Sequence, residues 1–188
     1  TGGIDIAPPL SWMFEPNFMV SDPGATEHVM RYKDIHDRMA LLYPYFVYEF
    51  GFGSTPTNPQ LEEVEAFAVT DGSNTYWLMP LVVAINTSNV PWSSPTSSSF
   101  MLQLVGYSLI DAYNGSVQTI VTGDDYFSEM FLEQYADVGA TRQVPVWLEG
   151  QIRYPEEMFI WQVSKFNEYH VTDPQTFIEN KEIYSVAD

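Results

Sequence analysis

One short segment of the sequence places an imidazole and a carboxylate close together. His170 and Asp173 lie three residues apart, where one predicted helix ends and the next begins. A helix C-terminus favours the imidazolium form of histidine, because the helix dipole places partial negative charge there. We therefore take His170 and Asp173 as candidate binding residues, for a ligand or for a protonation switch. The alternative is structural, with His170 bonded to the last helix carbonyls and Asp173 capping the following helix.

The patterns typical of enzyme catalysis are incomplete in this sequence. Ser108 lies in Gly-Tyr-Ser-Leu-Ile, which lacks the final glycine of a nucleophile elbow and falls inside a predicted strand. The Gly-Phe-Gly run at 51–53 lacks the third glycine of a dinucleotide-binding loop. The chain has no cysteine, which excludes thiol nucleophiles, disulfides and cysteine-ligated clusters. We therefore assign no catalytic residue and no cofactor.

Histidines and carboxylates also form no recognised metal motif. His28 and His36 are eight residues apart on one predicted helix, which is too far for a single ion. We assign no metal ligand. Carboxylates are nevertheless abundant, so two alternatives stay open at this point. One is a cell-surface hydrolase that uses carboxylates in a cleft, and the other is an acidic surface that binds divalent cations outside the cell.

Charge and composition restrict the class of partner. The chain has 7 Lys+Arg against 25 Asp+Glu, for a net charge of -18, which repels nucleic acid and anionic lipid headgroups. We therefore expect no nucleic-acid partner. Charged residues make up only 17%, which we interpret as the surface of an extracytoplasmic domain. The longest apolar run, 77–85, is shorter than the roughly 20 residues of a membrane-spanning helix.

Hydrophobic periodicity predicts a single α+β domain over residues 1–188. Prolines and glycines interrupt residues 1–24, for which we expect an extended arm. A helix over 27–43 follows, because apolar residues recur every three or four positions until Pro44 ends it. Four strands rich in aromatic and β-branched residues come next, at 61–70, 75–86, 100–113 and 116–122.

Turn sequences join these strands into an antiparallel meander. Residues 71–74 form one turn, and Asn114-Gly115 predicts a two-residue hairpin loop. Over 25–123 we expect a helix packed on this four-stranded antiparallel sheet. A C-terminal helical segment over 124–188 completes the core, with one helix from a cap at Asp124 to Ala136 and another from Pro155.

Three segments are candidate interaction surfaces, because each is predicted to be exposed or to form a sheet edge. They are the Ser- and Pro-rich loop around Trp92, the N-terminal arm and the strand at 61–70.

Three stretches of the sequence are specific enough to compare with known families. Residues 152–159 read Ile-Arg-Tyr-Pro-Glu-Glu-Met-Phe, and residues 169–177 read Tyr-His-Val-Thr-Asp-Pro-Gln-Thr-Phe. Earlier, residues 110–117 read Ile-Asp-Ala-Tyr-Asn-Gly-Ser-Val. These stretches resemble RYPEDLF, YHMTDPQVFYN and VDAYDGTV of uncharacterised protein family 0182, and the resemblance is collinear from about Gly3 onward. The chain departs from the family pattern over 83–93, and Gln151 stands where the family often has histidine.

This resemblance implies part of the extracytoplasmic region of a large bacterial or archaeal membrane protein. It implies membrane spans before residue 1 and further chain beyond Asp188, but no reaction, cofactor or partner. We therefore expect a non-enzymatic extracytoplasmic module of a membrane-anchored protein, located at the cell membrane. Its expected partner is an unknown protein or ligand at the cell surface.

Overall fold

The computed structural model describes residues 3–30, 32–50, 62–87 and 100–169, together with residues 172, 173 and 175. Strands in this part of the chain are β1 (Gly3–Ile6), β2 (Glu27–Met30), β3 (Glu49–Phe50), β4 (Glu62–Glu63), β5 (Phe67–Thr70), β6 (Thr75–Asn86), β7 (Phe100–Asp111), β8 (Val117–Val121) and β9 (Ala140–Thr141). Helices are α1 (Ser11–Phe14), α2 (Phe18–Ser21), α3 (Ile35–Leu42), α4 (Tyr126–Tyr135), α5 (Val146–Glu149) and α6 (Glu156–Tyr169), with a 3-10 turn at Ala136–Val138.

A mixed sheet of five strands, in the order β5-β6-β7-β8-β9, forms the centre of the fold. Its first four strands are antiparallel, and β9 runs parallel to β8. The α+β class is therefore confirmed, but the prediction of a four-stranded, wholly antiparallel sheet is wrong. The two residues of β9 are too few to show the alternation of a strand in the sequence. β9 forms because the chain returns from α4 to the edge of β8, where the Thr119 N–H donates to the Gly139 carbonyl at 3.3 Å.

Helices α3 and α4 cover one face of this sheet. Met79 and Leu81 of β6 are buried there against Met39 of α3 and Phe131 of α4. Helices with one apolar stripe are stable when that stripe packs on such a face. The predicted cover of this face by a helix is therefore present, but two helices share it.

Helices α5 and α6 cover the opposite face. Leu78 is buried near Leu148 of α5, and Val82 is buried near Met158 of α6. Because both faces are covered, the middle of β6 is buried at consecutive positions and does not alternate. Helix α6 begins at Glu156, one residue after the predicted start at Pro155, whereas the single turn of α5 was not predicted.

The predicted helix over 27–43 is only half present, and this prediction is wrong for residues 27–30. Those residues form β2, which pairs with β1 in antiparallel register. Helix α3 starts later, because the Asp34 side chain accepts hydrogen bonds from the N–H groups of His36 and Asp37. The pairing with β1 is non-local, so periodicity along 27–43 does not reveal it. His28 and His36 consequently lie on different elements, one on β2 and one on α3.

Regular elements also occupy the segment for which we predicted an extended arm. It contains β1 and the single-turn helices α1 and α2, and the Ser11 hydroxyl donates to the Ala25 carbonyl at 3.2 Å. The pairing of β1 with β2 supplies hydrogen-bond partners for the backbone, and the proline and glycine content of this segment does not predict such pairing. Across the residues that the structure describes, no helix has both the length and the apolar character needed to cross a membrane.

The two predicted hairpins are present, but one has a different loop. Ile110 pairs with Val117, so the β7–β8 connection is longer than the predicted Asn-Gly pair. The Asp111 carboxylate accepts hydrogen bonds from the N–H groups of Tyr113 and Asn114, and these bonds stabilise the turn. Gly115 then adopts a φ of 69°, in the left-handed region that favours glycine.

The β5–β6 turn is held by one carboxylate. Asp71 accepts hydrogen bonds from the N–H groups of Asn74 at 2.6 Å and Ser73 at 2.8 Å, and from the Tyr76 hydroxyl at 3.0 Å. These bonds, led by that of Asn74, lower the pKa of Asp71 from 3.8 to about 2. A carboxyl group with a lowered folded-state pKa stabilises the fold above its unfolded pKa, and this contribution disappears as pH falls through the folded value.

We therefore expect Asp71→Asn to destabilise the chain at pH 7 but not at pH 2. The difference from the unaltered chain should shrink as pH falls from about 4 to about 2, because the native carboxylate is protonated in that window. Urea unfolding across this range measures the difference. Glu133→Gln, which removes a carboxylate on the exposed face of α4, is the control. An Asp71→Asn penalty that stays constant with pH would contradict the hydrogen-bonding role of the ionised form.

Candidate functional site

A cavity of about 600 Å³ opens between α3, the β7–β8 turn and α4. Most of its wall is apolar, and the side chains responsible are Leu41, Leu42, Tyr43, Val117, Tyr135 and Val138. Arg38 adds one polar group to the same wall. A concave, largely apolar cavity of a few hundred Å³ with few polar groups is the usual form of a ligand-binding site.

Helix α3 positions one side of this cavity. The helix ends at Leu42, and Pro44 prevents its continuation. Leu41 and Leu42 therefore remain exposed at its last turn, whereas Tyr43 points into the core. The Tyr43 hydroxyl lies 3.2 Å from the Thr119 Oγ1 of β8, which fixes the ring against the sheet.

The polar group of the wall is Arg38, whose side chain is 7% exposed. Its Nη1 donates to the Gly115 carbonyl at 3.0 Å, and its Nη2 donates to the Tyr32 carbonyl at 2.6 Å. Gly115 allows this approach, because a Cβ at that position would overlap the guanidinium. These two bonds tie helix α3 to the β7–β8 turn and to the chain just before α3.

A second cavity of about 240 Å³ lies beside the first and shares Tyr135 with it. Tyr45 and Met130, both partly exposed, line this smaller cavity with Phe127 and Phe131. Burial, followed by a hydrogen bond with Tyr135, raises the pKa of Tyr45 well above its usual value. Its phenol is therefore neutral at physiological pH.

The Tyr135 ring separates the two cavities and is held by its neighbours. It stacks on Phe131 at 4.7 Å between ring centroids and meets Tyr43 edge-on at 5.2 Å. The two cavities form one apolar surface, which we call the α3–α4 groove. Its rim includes Val138, which is 65% exposed.

An acidic cavity of about 230 Å³ lies at the other end of α3. His36 Nε2 lies 2.7 Å from the Val64 carbonyl, and its Nδ1 lies 3.5 Å from carboxylate oxygens of both Asp34 and Glu63. Within the described ranges, no group of three His, Asp or Glu side chains has the arrangement to hold a metal ion. These contacts join α3 to the chain around β4, which is a structural role.

Among the residues that the structure describes, the carboxylates with displaced pKa values include no general acid. The pKa of Asp34 is lowered, chiefly by the N–H of His36. At Asp125 burial acts to raise the pKa, but hydrogen bonds from Ser128 and Phe127 together lower it. The pKa of Asp71 is also lowered. A carboxylate hydrolase needs the opposite displacement in its acid, so these three groups do not support that alternative.

Of the two candidate binding residues from the sequence, His170 lies outside the described residues. Asp173 is described and lies exposed beyond the end of α6. Their proposed pairing therefore stays a prediction. Trp92, the centre of one candidate surface, also lies outside the described residues.

Two of the predicted interaction surfaces can be inspected. The edge of the sheet at β5 is covered by a side chain, because the Gln151 amide bonds both the N–H and the carbonyl of Thr70, at 3.0 and 2.8 Å. Glu157 accepts the nearby N–H of Glu65 at 3.0 Å. Such bonds block the addition of a further strand. The N-terminal segment instead exposes large apolar side chains, at Leu10, Met13, Phe14, Met19 and Val20.

Our sequence reasoning did not identify the α3–α4 groove. Neither Arg38 nor Tyr135 was among the candidate binding residues. The available signal was an arginine placed between Asp37 and Met39 on the apolar helix α3. The contact between Arg38 and Gly115 spans 77 positions, so local patterns do not report it.

Comparison with known proteins gives a family but no function. The sequence profile described as "Uncharacterised protein family (UPF0182)" matches residues 15–188. A UPF0182 protein of Microcystis aeruginosa is 26% identical over 167 residues, which are 86% of this chain and 16% of that protein. One from Geotalea uraniireducens is 23% identical over 179 residues, which are 92% of this chain and 18% of that protein. The chain therefore spans less than a fifth of the length of these two relatives. No solved structure matches it.

Replacing glycine in the two hairpin turns tests the contact between Arg38 and the cavity wall. Gly72 and Gly115 both have positive φ, at 92° and 69°, but an added Cβ meets nothing within 4 Å at Gly72 and overlaps Arg38 at Gly115. We expect Gly72→Ala to cost about 1–2 kcal/mol from backbone strain alone. Gly115→Ala should cost about 2–4 kcal/mol, since overpacking adds to the strain. Urea unfolding measures both. Equal costs would contradict a fixed guanidinium, because an Arg38 side chain that shifts aside freely adds nothing to the backbone strain.

Proposed function

Because the chain belongs to the uncharacterised protein family UPF0182, we propose that it is a non-enzymatic module that binds an apolar ligand within a longer family protein. The α3–α4 groove is the proposed binding site. The observation that carries the proposal is the cavity of about 600 Å³, with apolar walls and Arg38 as a polar group in them.

The groove exposes apolar side chains to water. Leu41, Leu42 and Val138 are all exposed along the groove, although apolar surface gains roughly 25 cal/mol per Å² when it leaves water. A ligand that covers these side chains recovers that free energy. The ring of Tyr135, held by stacking, gives the ligand a wall that needs little reordering on binding.

Binding is favoured over catalysis by the chemistry of this groove. Its polar side-chain groups are the Arg38 guanidinium, the Ser116 hydroxyl, the Gln134 amide and tyrosine hydroxyls. Catalysis by acid and base requires a group whose pKa lies near neutrality or a nucleophile beside a base. Burial displaces the Tyr45 pKa upward, away from neutrality. The groove thus has the composition of a binding site.

We place the module on the extracytoplasmic side of the cell membrane, within a membrane-anchored parent. The low share of charged residues, 17%, supports this placement. The motif resemblance over 152–159 and 169–177 supports it as well.

A fluorescent apolar probe tests the binding site. N-phenyl-1-naphthylamine is neutral and becomes fluorescent in an apolar environment, so its titration reports occupancy of the groove. We expect Val138→Asp to weaken the binding of this probe at least about tenfold, because a carboxylate at the rim must be desolvated when the probe binds.

Val146→Asp is the matched control for this experiment. Val146 is 84% exposed on α5, outside the groove, and the substitution introduces the same charge. Probe binding should be unchanged in this variant. If both variants bind the probe as the unaltered chain does, the probe occupies another surface and the groove is not the binding site.

Reporter fusions test the placement outside the cytoplasm. Alkaline phosphatase requires disulfides and is active only outside the cytoplasm, whereas green fluorescent protein serves as a reporter of the cytoplasmic side. Each is inserted into the Microcystis aeruginosa relative, at the end of the stretch that matches this chain. We expect phosphatase activity without fluorescence, and the reverse pattern would place this region in the cytoplasm.

A further inference from the structure

We infer that the ligand of the α3–α4 groove is a single extended hydrocarbon chain, which passes Tyr135 and occupies both cavities. This inference rests on the proposed function, because it specifies the ligand class for the same site. Three features of the groove favour such a chain: its direction along α4, the fixed ring between its cavities and the exposed apolar surface of the smaller cavity.

The two cavities of the groove follow one another along α4. The smaller cavity is lined by side chains from one face of this helix, which are Phe127, Met130, Phe131, Gln134 and Tyr135. The larger cavity also includes Tyr135 and extends to Val138, in the 3-10 turn that follows α4. The groove is therefore elongated along the axis of α4.

Helix geometry gives the length of the groove. From Phe127 to Tyr135 the helix advances about 12 Å, at about 1.5 Å per residue. The 3-10 turn to Val138 adds about 6 Å, at about 2 Å per residue. An extended hydrocarbon chain advances roughly 1.25 Å per carbon, because its C–C bonds are about 1.5 Å long, so about 14 carbons span the groove.

The ring of Tyr135 restricts the width of a ligand where the two cavities meet. This ring stacks on Phe131 at 4.7 Å between ring centroids, and its hydroxyl forms a hydrogen bond with Tyr45. Because the ring cannot turn aside without losing these contacts, a ligand that occupies both cavities must be narrow at this point. A single hydrocarbon chain meets this condition, whereas a fused ring system fills the larger cavity alone.

The smaller cavity contains apolar surface that a short ligand does not cover. Met130 is 46% exposed and Tyr45 is 38% exposed, and both side chains line this cavity. A ligand confined to the larger cavity leaves them in water. Each methylene group of a longer chain that leaves water against this surface raises the affinity up to about fourfold. Extension of the ligand past Tyr135 is therefore favourable.

The experiment measures how octan-1-ol and dodecan-1-ol displace N-phenyl-1-naphthylamine from the unaltered chain, below the solubility limit of each alcohol. Both alcohols are uncharged, so the net charge of -18 does not favour either one. Octan-1-ol is about 10 Å long by the same bond geometry and fits within the larger cavity. We expect dodecan-1-ol to bind at least about thirtyfold more tightly, because its four further methylene groups reach the smaller cavity. Equal affinities would overturn the inference.

A charge placed in the smaller cavity shows where the added methylene groups lie. Met130→Asp introduces a carboxylate that must lose water when a hydrocarbon chain covers it, which is costly. We expect this variant to weaken dodecan-1-ol binding at least about tenfold and to leave octan-1-ol binding unchanged. Tyr126→Asp is the control, because Tyr126 is 85% exposed on the same helix and lines neither cavity. That variant should keep both affinities of the unaltered chain.

Outcomes separate this inference from the proposed function. If Val138→Asp weakens the binding of both alcohols but Met130→Asp weakens neither or both equally, the apolar site stands and the extended chain is wrong. If Met130→Asp does not fold, Gln134→Glu replaces it, because it places a charge in the smaller cavity with little change in size. If neither alcohol displaces the probe, the proposed function and this inference both fail.

Discussion

Pairing of β6 with β7 along their whole length is the interaction on which the other elements depend. The two strands pair from Tyr76 with Asp111 to Asn86 with Phe100, and their central residues are buried on both faces. An isolated hairpin with two apolar faces is unstable in water, so each face requires a cover of helices. Helices α3 and α4 form one cover, and α5 and α6 form the other. Gly106 lets β8 join this hairpin, since a Cβ there would overlap the Ile120 carbonyl.

The groove follows from the way this sheet is covered. Helices α3 and α4 pack on the same face through Met39 and Phe131, but their exposed turns leave a gap above the β7–β8 connection. Arg38 bonds that connection at Gly115 and so closes the floor of the gap without filling it. One glycine therefore serves the hairpin turn and the cavity wall together. The turn and the groove wall are therefore in direct contact, because the guanidinium lies against Gly115.

Elements with strong local patterns agree between sequence and structure. The β6 bounds, the start of α6 within one residue of Pro155 and the turn at residues 71–74 were predicted, because turn chemistry and helix capping act over a few residues. Elements that depend on contacts with distant parts of the chain were not predicted. The residues of β2 were assigned to a helix, β9 and α5 were missed, and the β7–β8 loop is longer than predicted. The candidate pair of His170 and Asp173 rested on local spacing alone. The groove around Arg38 needs a contact across 77 positions, which no local pattern contains.

The amino-acid sequence by itself determined the acidic charge, the absence of cysteine chemistry, the α+β class and the family of this protein. These properties are sums over the chain or short motifs, so they need no knowledge of how distant segments meet. Only the tertiary structure decided which side of the sheet each helix covers, which strand edges are blocked and where an apolar cavity opens beside Arg38. Those features arise when residues far apart in sequence are buried together, and burial is a property of the packed chain.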